Sequence, residues 1–272
     1  MTSAMAASSP LRPVPPASRA WIGGEPDAAQ PLRLFTLPFA GGSASSFASW
    51  RAKLPPSMAL TPVHLPGRER RLFETPIDAM PAMIAALATA IQPWLDRPYI
   101  LFGHSMGAVM AYELAAALAD LGAPPPDLLV VSGHGAPILP RTFRQISALD
   151  DKAFLAAVTE LGGLPRQLLD EPELLELVLP ALRADFRLCE TYAWGARDPL
   201  SCPVLALGGR SDPIAGQAEL ESWQHMTTRP LRSRMFDGNH FFLSTATDAI
   251  ICSIAETLAA LRGQAAIGRA FA

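Results

Sequence analysis

Short apolar runs and longer amphipathic stretches alternate along most of this chain. Leu32 to Leu37, Met58 to Leu65, Tyr99 to Phe102, Leu128 to Ser132 and Pro203 to Gly208 are compact apolar runs, the pattern of buried strands. Arg232 to Phe236 reads as a last, more exposed strand. Between them the apolar positions take helical spacing. Phe47 to Leu54 puts Trp50 and Leu54 on one face, and Ile77 to Leu95 aligns Met80, Ile84, Leu87 and Ile91. Ala108 to Leu121 and Ile250 to Leu261 are two further helices. Strand–helix alternation predicts an α/β fold, a mostly parallel central sheet with helices on both faces. The rhythm breaks from Ile138 to Tyr192, where helices are expected over Asp150 to Leu161, Pro172 to Leu177 and Leu179 to Tyr192, and no strand. A helical insertion of this kind sits above the carboxyl ends of the strands as a lid over the site there.

The 272 residues suit one domain of this class. Residues 20–262 are expected to form it, with the lid at about 138–192, a disordered tail over 1–19 and a flexible tail over 263–272. Half of the residues are hydrophobic, enough for a sizeable core. A net charge of −3 gives no reason to expect nucleic acid. Cys189, Cys202 and Cys252 are scattered, in no metal-binding spacing, and read as reduced thiols. The Ala-, Pro- and Ser-rich start lacks the basic and apolar regions of a secretory signal, and no run reaches membrane-spanning length. A cytoplasmic monomer with no bound metal or cofactor is the expectation.

The chemistry centres on Gly103-His104-Ser105-Met106-Gly107, placed between a strand and a helix. That context makes Gly-x-Ser-x-Gly the nucleophile elbow of an α/β-hydrolase fold. A serine hydroxyl needs a base, and the base needs an orienting acid, in the chain order Ser, Asp/Glu, His. His240 follows the last strand and is the expected base. Asp212, in Gly208-Gly209-Arg210-Ser211-Asp212 directly after a strand, is the expected acid, with Asp237 as rival. His134 could touch substrate, while His64, His104 and His225 fit proton transfer poorly. An oxyanion hole would combine the backbone amide of Met106 with one from Phe39-Ala40-Gly41-Gly42, Ala40 before Gly41.

Several stretches together resemble the type II thioesterases of polyketide and nonribosomal peptide synthesis. They are Leu37 to Ser43, Leu65-Pro66-Gly67-Arg68-Glu69, Gly103 to Ala108, Leu179 to Asp185, Cys202-Pro203-Val204, Gly208 to Asp212 and Gly238 to Phe242. Ser132-Gly133-His134 departs from the pattern. The resemblance implies Ser105, Asp212 and His240 as a triad. It also implies hydrolysis of aberrant or stalled acyl groups from the phosphopantetheine arm of acyl or peptidyl carrier protein domains. The arm belongs to the substrate, so no cofactor of the enzyme is implied. Alternatives are a medium-chain fatty acyl thioesterase that terminates fatty-acid synthesis, an oxygen-ester hydrolase, or a non-catalytic synthase-binding module. Arg68, Arg70 and Arg71 are read as a solvated loop face or a carrier-docking cluster. Met80, Met83, Leu168, Leu169, Leu174 and Leu175 are candidates for an acyl channel or for ordinary packing.

Overall fold

The computed structural model describes residues 15–23, 30–140, 144–163 and 171–270. Six strands form one sheet in the order β2-β1-β3-β4-β5-β6. They are β1 (Leu32–Leu37), β2 (Met58–Pro62), β3 (Tyr99–His104), β4 (Leu128–Ser132), β5 (Val204–Gly209) and β6 (Leu231–Phe236). Every pair is parallel, so all six carboxyl ends lie on one edge. In β1, β3, β4 and β5 every residue is buried, as expected of strands covered on both faces. Edge strand β6 keeps only Phe236 buried and carries Arg232 and Arg234 outward, which protects the edge from further pairing.

Side chains two residues apart point to the same face. Phe35, Leu37, Tyr99, Leu101, Leu129 and Val131 meet α2 (Met80–Ile91) and α3 (Met106–Asp120) on one side. Leu34, Ile100, Phe102, Val130, Leu205 and Leu207 face the other side. There they meet Phe47 and Trp50, from a 3₁₀ segment at Ala44–Ala52, and Ile250 and Ile254 of the C-terminal helix. Each such fully buried large side chain contributes about 2 kcal/mol of transfer free energy.

The insertion holds two described helices, α4 (Asp151–Glu160) and α5 (Pro172–Thr191), with a small core of Ile146, Phe154, Val158 and Leu182. Helix α5 runs unbroken through Pro180, where the sequence pattern suggested two helices. Pro180 removes one ladder hydrogen bond, but Ala181, Leu182, Ala184, Asp185 and Leu188 bury a continuous face just beyond it. A short helix α6 (Gln217–Glu221), missed by the periodicity, connects β5 to β6.

Both chain ends depart from expectation. Pro16–Trp21 forms a helix, α1, that begins within the stretch read as tail, residues 1–19. Trp21 and Ile22 are buried, and Ile22 bridges to Val63. The guanidinium of Arg71 lies 4.0 Å from the Trp21 ring centroid, within cation–π range. At the other end α7 (Thr247–Ala270) extends into the stretch read as a flexible tail, as far as Ala270. Among the described residues no helix is long and apolar enough to cross a membrane.

Candidate active site

Strand β3 ends at His104, and α3 begins at Met106. Ser105 alone makes the turn, with φ 53° and ψ −117°, a conformation that L-residues rarely adopt. Strain of this kind costs about 1–3 kcal/mol and persists only where the surroundings enforce it. Here the Ser105 amide donates to the Ser132 carbonyl at 2.7 Å, tying the turn to β4. The glycines two residues either side are steric necessities. A Cβ on Gly107 would lie 2.2 Å from the carbonyl oxygen of Leu37. One on Gly103 would lie 1.8 Å from that of Gly107.

The three residues expected at strand ends come together. His240 Nε2 is 2.9 Å from Ser105 Oγ, and His240 Nδ1 is 2.8 Å from Asp212 Oδ2. The Asp212 side chain is fully buried and also accepts the Ile214 amide through Oδ1 at 2.8 Å. That second bond fixes the carboxylate plane and leaves Oδ2 for the imidazole. Gly209 lets the acid loop approach the base loop, since a Cβ there would lie 2.5 Å from the Asn239 carbonyl oxygen. Asp237, the rival acid, has a side chain 98% exposed and pairs with Arg210 instead.

The other histidines separate by environment. His104 is completely buried, with Nδ1 2.9 Å from Ser132 Oγ and its ring 5.2 Å from that of His240. Burial, reinforced by the nearby His240, pushes its pKa down to about 3. It is therefore a neutral support beneath the base. His64 faces Glu69 at 3.0 Å, and His225 lies in a 3₁₀ segment away from this edge of the sheet. His134 lines a chamber of about 670 Å³ together with Met80, Met106, Val109, Cys189 and Tyr192. Asp212 borders the same chamber. Met83 belongs to the core, Leu174 is exposed, and Leu168 and Leu169 lie outside the described residues.

Two backbone amides, one in the elbow and one in the loop after β1, have no protein acceptor among the described residues. Met106 is the first residue of α3, so its N–H has no intrahelical acceptor and the positive end of the helix dipole adds to it. In the loop after β1 the Gly41 amide donates to Asp185 Oδ2 at 2.8 Å, and the Gly42 amide to the Phe39 carbonyl at 2.8 Å. Gly41 is thus spent, and the Ala40 amide has no acceptor among the described residues.

The arginine cluster is not one uniform face: Arg68 and Arg71 turn inward, and Arg70 is exposed. Arg68 makes two 2.7 Å bonds to the buried Asp185. Arg70 donates to the carbonyls of Arg19 and Ala20 at 2.5 and 2.6 Å. Arg71 grips Glu74 and the His64 carbonyl. Sequence reasoning placed Arg68 and Asp185 in separate motifs and could not join them, because 117 residues separate the two.

Residues 32–258 match the thioesterase domain family. The chain belongs to the thioesterase family. Its curated relatives include LgrE of Brevibacillus parabrevis, named a linear gramicidin dehydrogenase. The two are 38% identical over 228 residues, covering 83% of this chain and 87% of LgrE. Thioesterase PikA5 of Streptomyces venezuelae is 39% identical over 233 residues, covering 85% of this chain and 83% of its own. Among solved structures, the type II thioesterase BorB from the borrelidin biosynthetic cluster superposes with a TM-score of 0.80 at 35% identity, covering 88% of this chain and 98% of BorB. The motif resemblance to type II thioesterases is borne out, and the fold is that of α/β-hydrolase thioesterases. This thioesterase is a thioester hydrolase.

Proposed function

We propose that this thioesterase releases stalled or aberrant acyl groups from the phosphopantetheine arm of carrier proteins in nonribosomal peptide or polyketide synthesis. The observation that carries the reading is the Ser105–His240–Asp212 hydrogen-bond chain, at 2.9 and 2.8 Å, on the strand-end edge of the sheet. Kinship with a type II thioesterase of a biosynthetic cluster supports the substrate class.

The reaction follows from the geometry. Ser105 Oγ attacks the thioester carbonyl carbon while His240 Nε2 takes its proton. Asp212 holds the Nδ1–H tautomer and stabilises the imidazolium as it forms. The amides of Met106 and Ala40 receive the oxyanion, and preorganised donors of this kind each contribute about 3–4 kcal/mol. The imidazolium then protonates the leaving thiolate, and the arm departs as a thiol. Water deprotonated by His240 attacks the acyl-serine, and collapse of the second tetrahedral intermediate returns the proton to Ser105. The chamber beside Met106 receives the acyl chain.

The test is release of radiolabelled acyl groups from a loaded carrier protein, run beside the corresponding small acyl thioester. Release by wild type and its loss in Ser105→Ala is the expected result. Wild type that cleaves only small thioesters overturns the carrier-bound substrate, and wild type that cleaves neither overturns the whole reading.

A further inference from the structure

Three stretches distant in sequence meet beside Ala40 and are not explained by the hydrogen-bond chain at Ser105. Arg68 comes from the loop after β2, Asp185 from the insertion helix α5, and Gly41-Gly42 from the loop after β1. Asp185 is fully buried, and the Arg68 side chain is only 11% exposed. Arg68 Nη1 and Nη2 each donate to one Asp185 oxygen at 2.7 Å, a planar two-bond fork. Nη1 also donates to the Gly42 carbonyl at 2.9 Å. On the same carboxylate, Oδ2 accepts the Gly41 amide at 2.8 Å. The pair therefore grips one loop at two consecutive residues, by a donor and by an acceptor.

Packing repeats the constraint. Gly41 has φ +79°, and a Cβ there would lie 2.8 Å from Leu182 Cδ1 on α5. Gly67, beside Arg68, has φ +81°, and a Cβ there would lie 3.3 Å from Ala181 Cβ on the same helix. Helix α5 is thus seated directly on both loops. The electrostatics are equally specific. A bare carboxylate one residue from an oxyanion donor would oppose the charge that donor must receive. The two-bond pairing with Arg68 cancels it and leaves a nearly neutral clamp.

We propose that Arg68 and Asp185 are positioning residues of the thioesterase reaction, holding the loop after β1 so that the Ala40 amide faces the oxyanion. The proposal rests on the reading of that amide as an oxyanion donor. The clamp acts through Ala40 and touches no substrate. One consequence is that α5 cannot lift from the site without withdrawing the acceptor of the Gly41 amide, so opening of the insertion loosens the oxyanion hole.

The test compares two double variants. Arg68→Met with Asp185→Leu replaces the pair by apolar groups of similar size, a change that buried ion pairs often tolerate. It leaves the Gly41 amide without an acceptor. Arg68→Met with Asp185→Asn keeps a neutral side-chain carbonyl for that amide. The expected result for the first is a kcat about 10²–10³-fold lower with KM within about threefold. An acyl trifluoromethyl ketone, which forms a tetrahedral oxyanion on Ser105, should weaken by a similar factor while the product acid binds as before. The Asn variant should recover kcat to within about tenfold of wild type. Arg68→Lys keeps the buried charge compensated and so reports even if the doubles do not fold. Losing the fork, it should lower kcat about tenfold at unchanged KM.

An Arg68→Lys protein with wild-type kcat overturns the proposal. So does a first double variant within threefold of wild type, or one whose kcat, KM and product binding all decline together without recovery in the Asn variant. Wild type that releases no acyl group fails the thioesterase reading instead, so the two failures are distinguishable.

Discussion

Gly103 and Gly107 cross so closely that a first side-chain carbon on Gly103 would lie 1.8 Å from the Gly107 carbonyl oxygen. The obstacle is backbone and cannot rotate away. Gly103→Ala is therefore expected to cost at least about 3 kcal/mol, at the upper end of overpacking. Gly122 is the control. It has φ +72° but no atom within 4 Å of its missing Cβ, so Gly122→Ala carries only the backbone cost of about 1–2 kcal/mol. Urea midpoints of the two variants check the order. Equal losses would mean that the elbow glycines serve conformation and not clearance.

Asp212→Asn isolates the role of the acid. The Ile214 amide already donates to Oδ1, so an asparagine here is held with its carbonyl toward Ile214 and its NH₂ toward His240. Nδ1 must then accept a hydrogen bond from that NH₂, which leaves the ring's one proton on Nε2, facing Ser105. In that tautomer the imidazole cannot take the hydroxyl proton. The expected result is a kcat about 10³–10⁴-fold lower with little change in unfolding. A loss below about tenfold, measured on a small acyl thioester, would show that Asp212 does not set the tautomer.

What could be read from the sequence was either local or ordered along the chain. The strand–Ser105–helix context is contiguous, and the order Ser105, Asp212, His240 is linear, so both survive without coordinates. Choosing Asp212 over Asp237 needed only chain distance, since Asp237 lies three residues before His240 and fits the shaping of that turn. What could not be read depends on residues far apart meeting. Arg68 looks like a surface charge until Asp185 is placed beside it. Pro16 to Arg19 look like part of a Pro-rich tail until the helix they begin is seen to carry the buried Trp21 against Arg71. Pro180 looks like a helix end until the buried face beyond it is seen.

The chamber of about 670 Å³ begins at Met106, and Val109 lies one helical turn further along α3. Its walls are largely apolar, so it suits an acyl chain. Val109→Phe would fill it near the serine without touching Ser105, Asp212 or His240. For octanoyl thioesters kcat/KM is expected to fall about 30-fold or more, against less than threefold for acetyl, because the longer chain loses its space. A parallel loss on both substrates would exclude this chamber as the acyl site. A larger cleft of about 820 Å³, lined by Ala115, Pro126 and Cys202 among others, adjoins the starts of β4 and β5, away from Ser105.

His104 should make the protein sensitive to mild acid. Burial first, then the neighbouring His240 and His134, lower its pKa to about 3 from an ordinary 6.5. Between these values the unfolded chain binds a proton at His104 that the folded chain refuses. Stability from this group is therefore complete above pH 6.5 and is lost as pH falls toward 3, by about 1.4 kcal/mol per pH unit. His64, lowered by burial and by Arg70, pulls the same way, so the comparison must be with a variant that alters His104 alone. His104→Gln can keep a hydrogen bond to Ser132 but does not titrate. Its stability measured from pH 7 to pH 4 should show a slope shallower than wild type by about that amount per unit. Identical slopes would mean that the buried His104 does protonate in the folded state, and it could not then serve as a neutral support under His240.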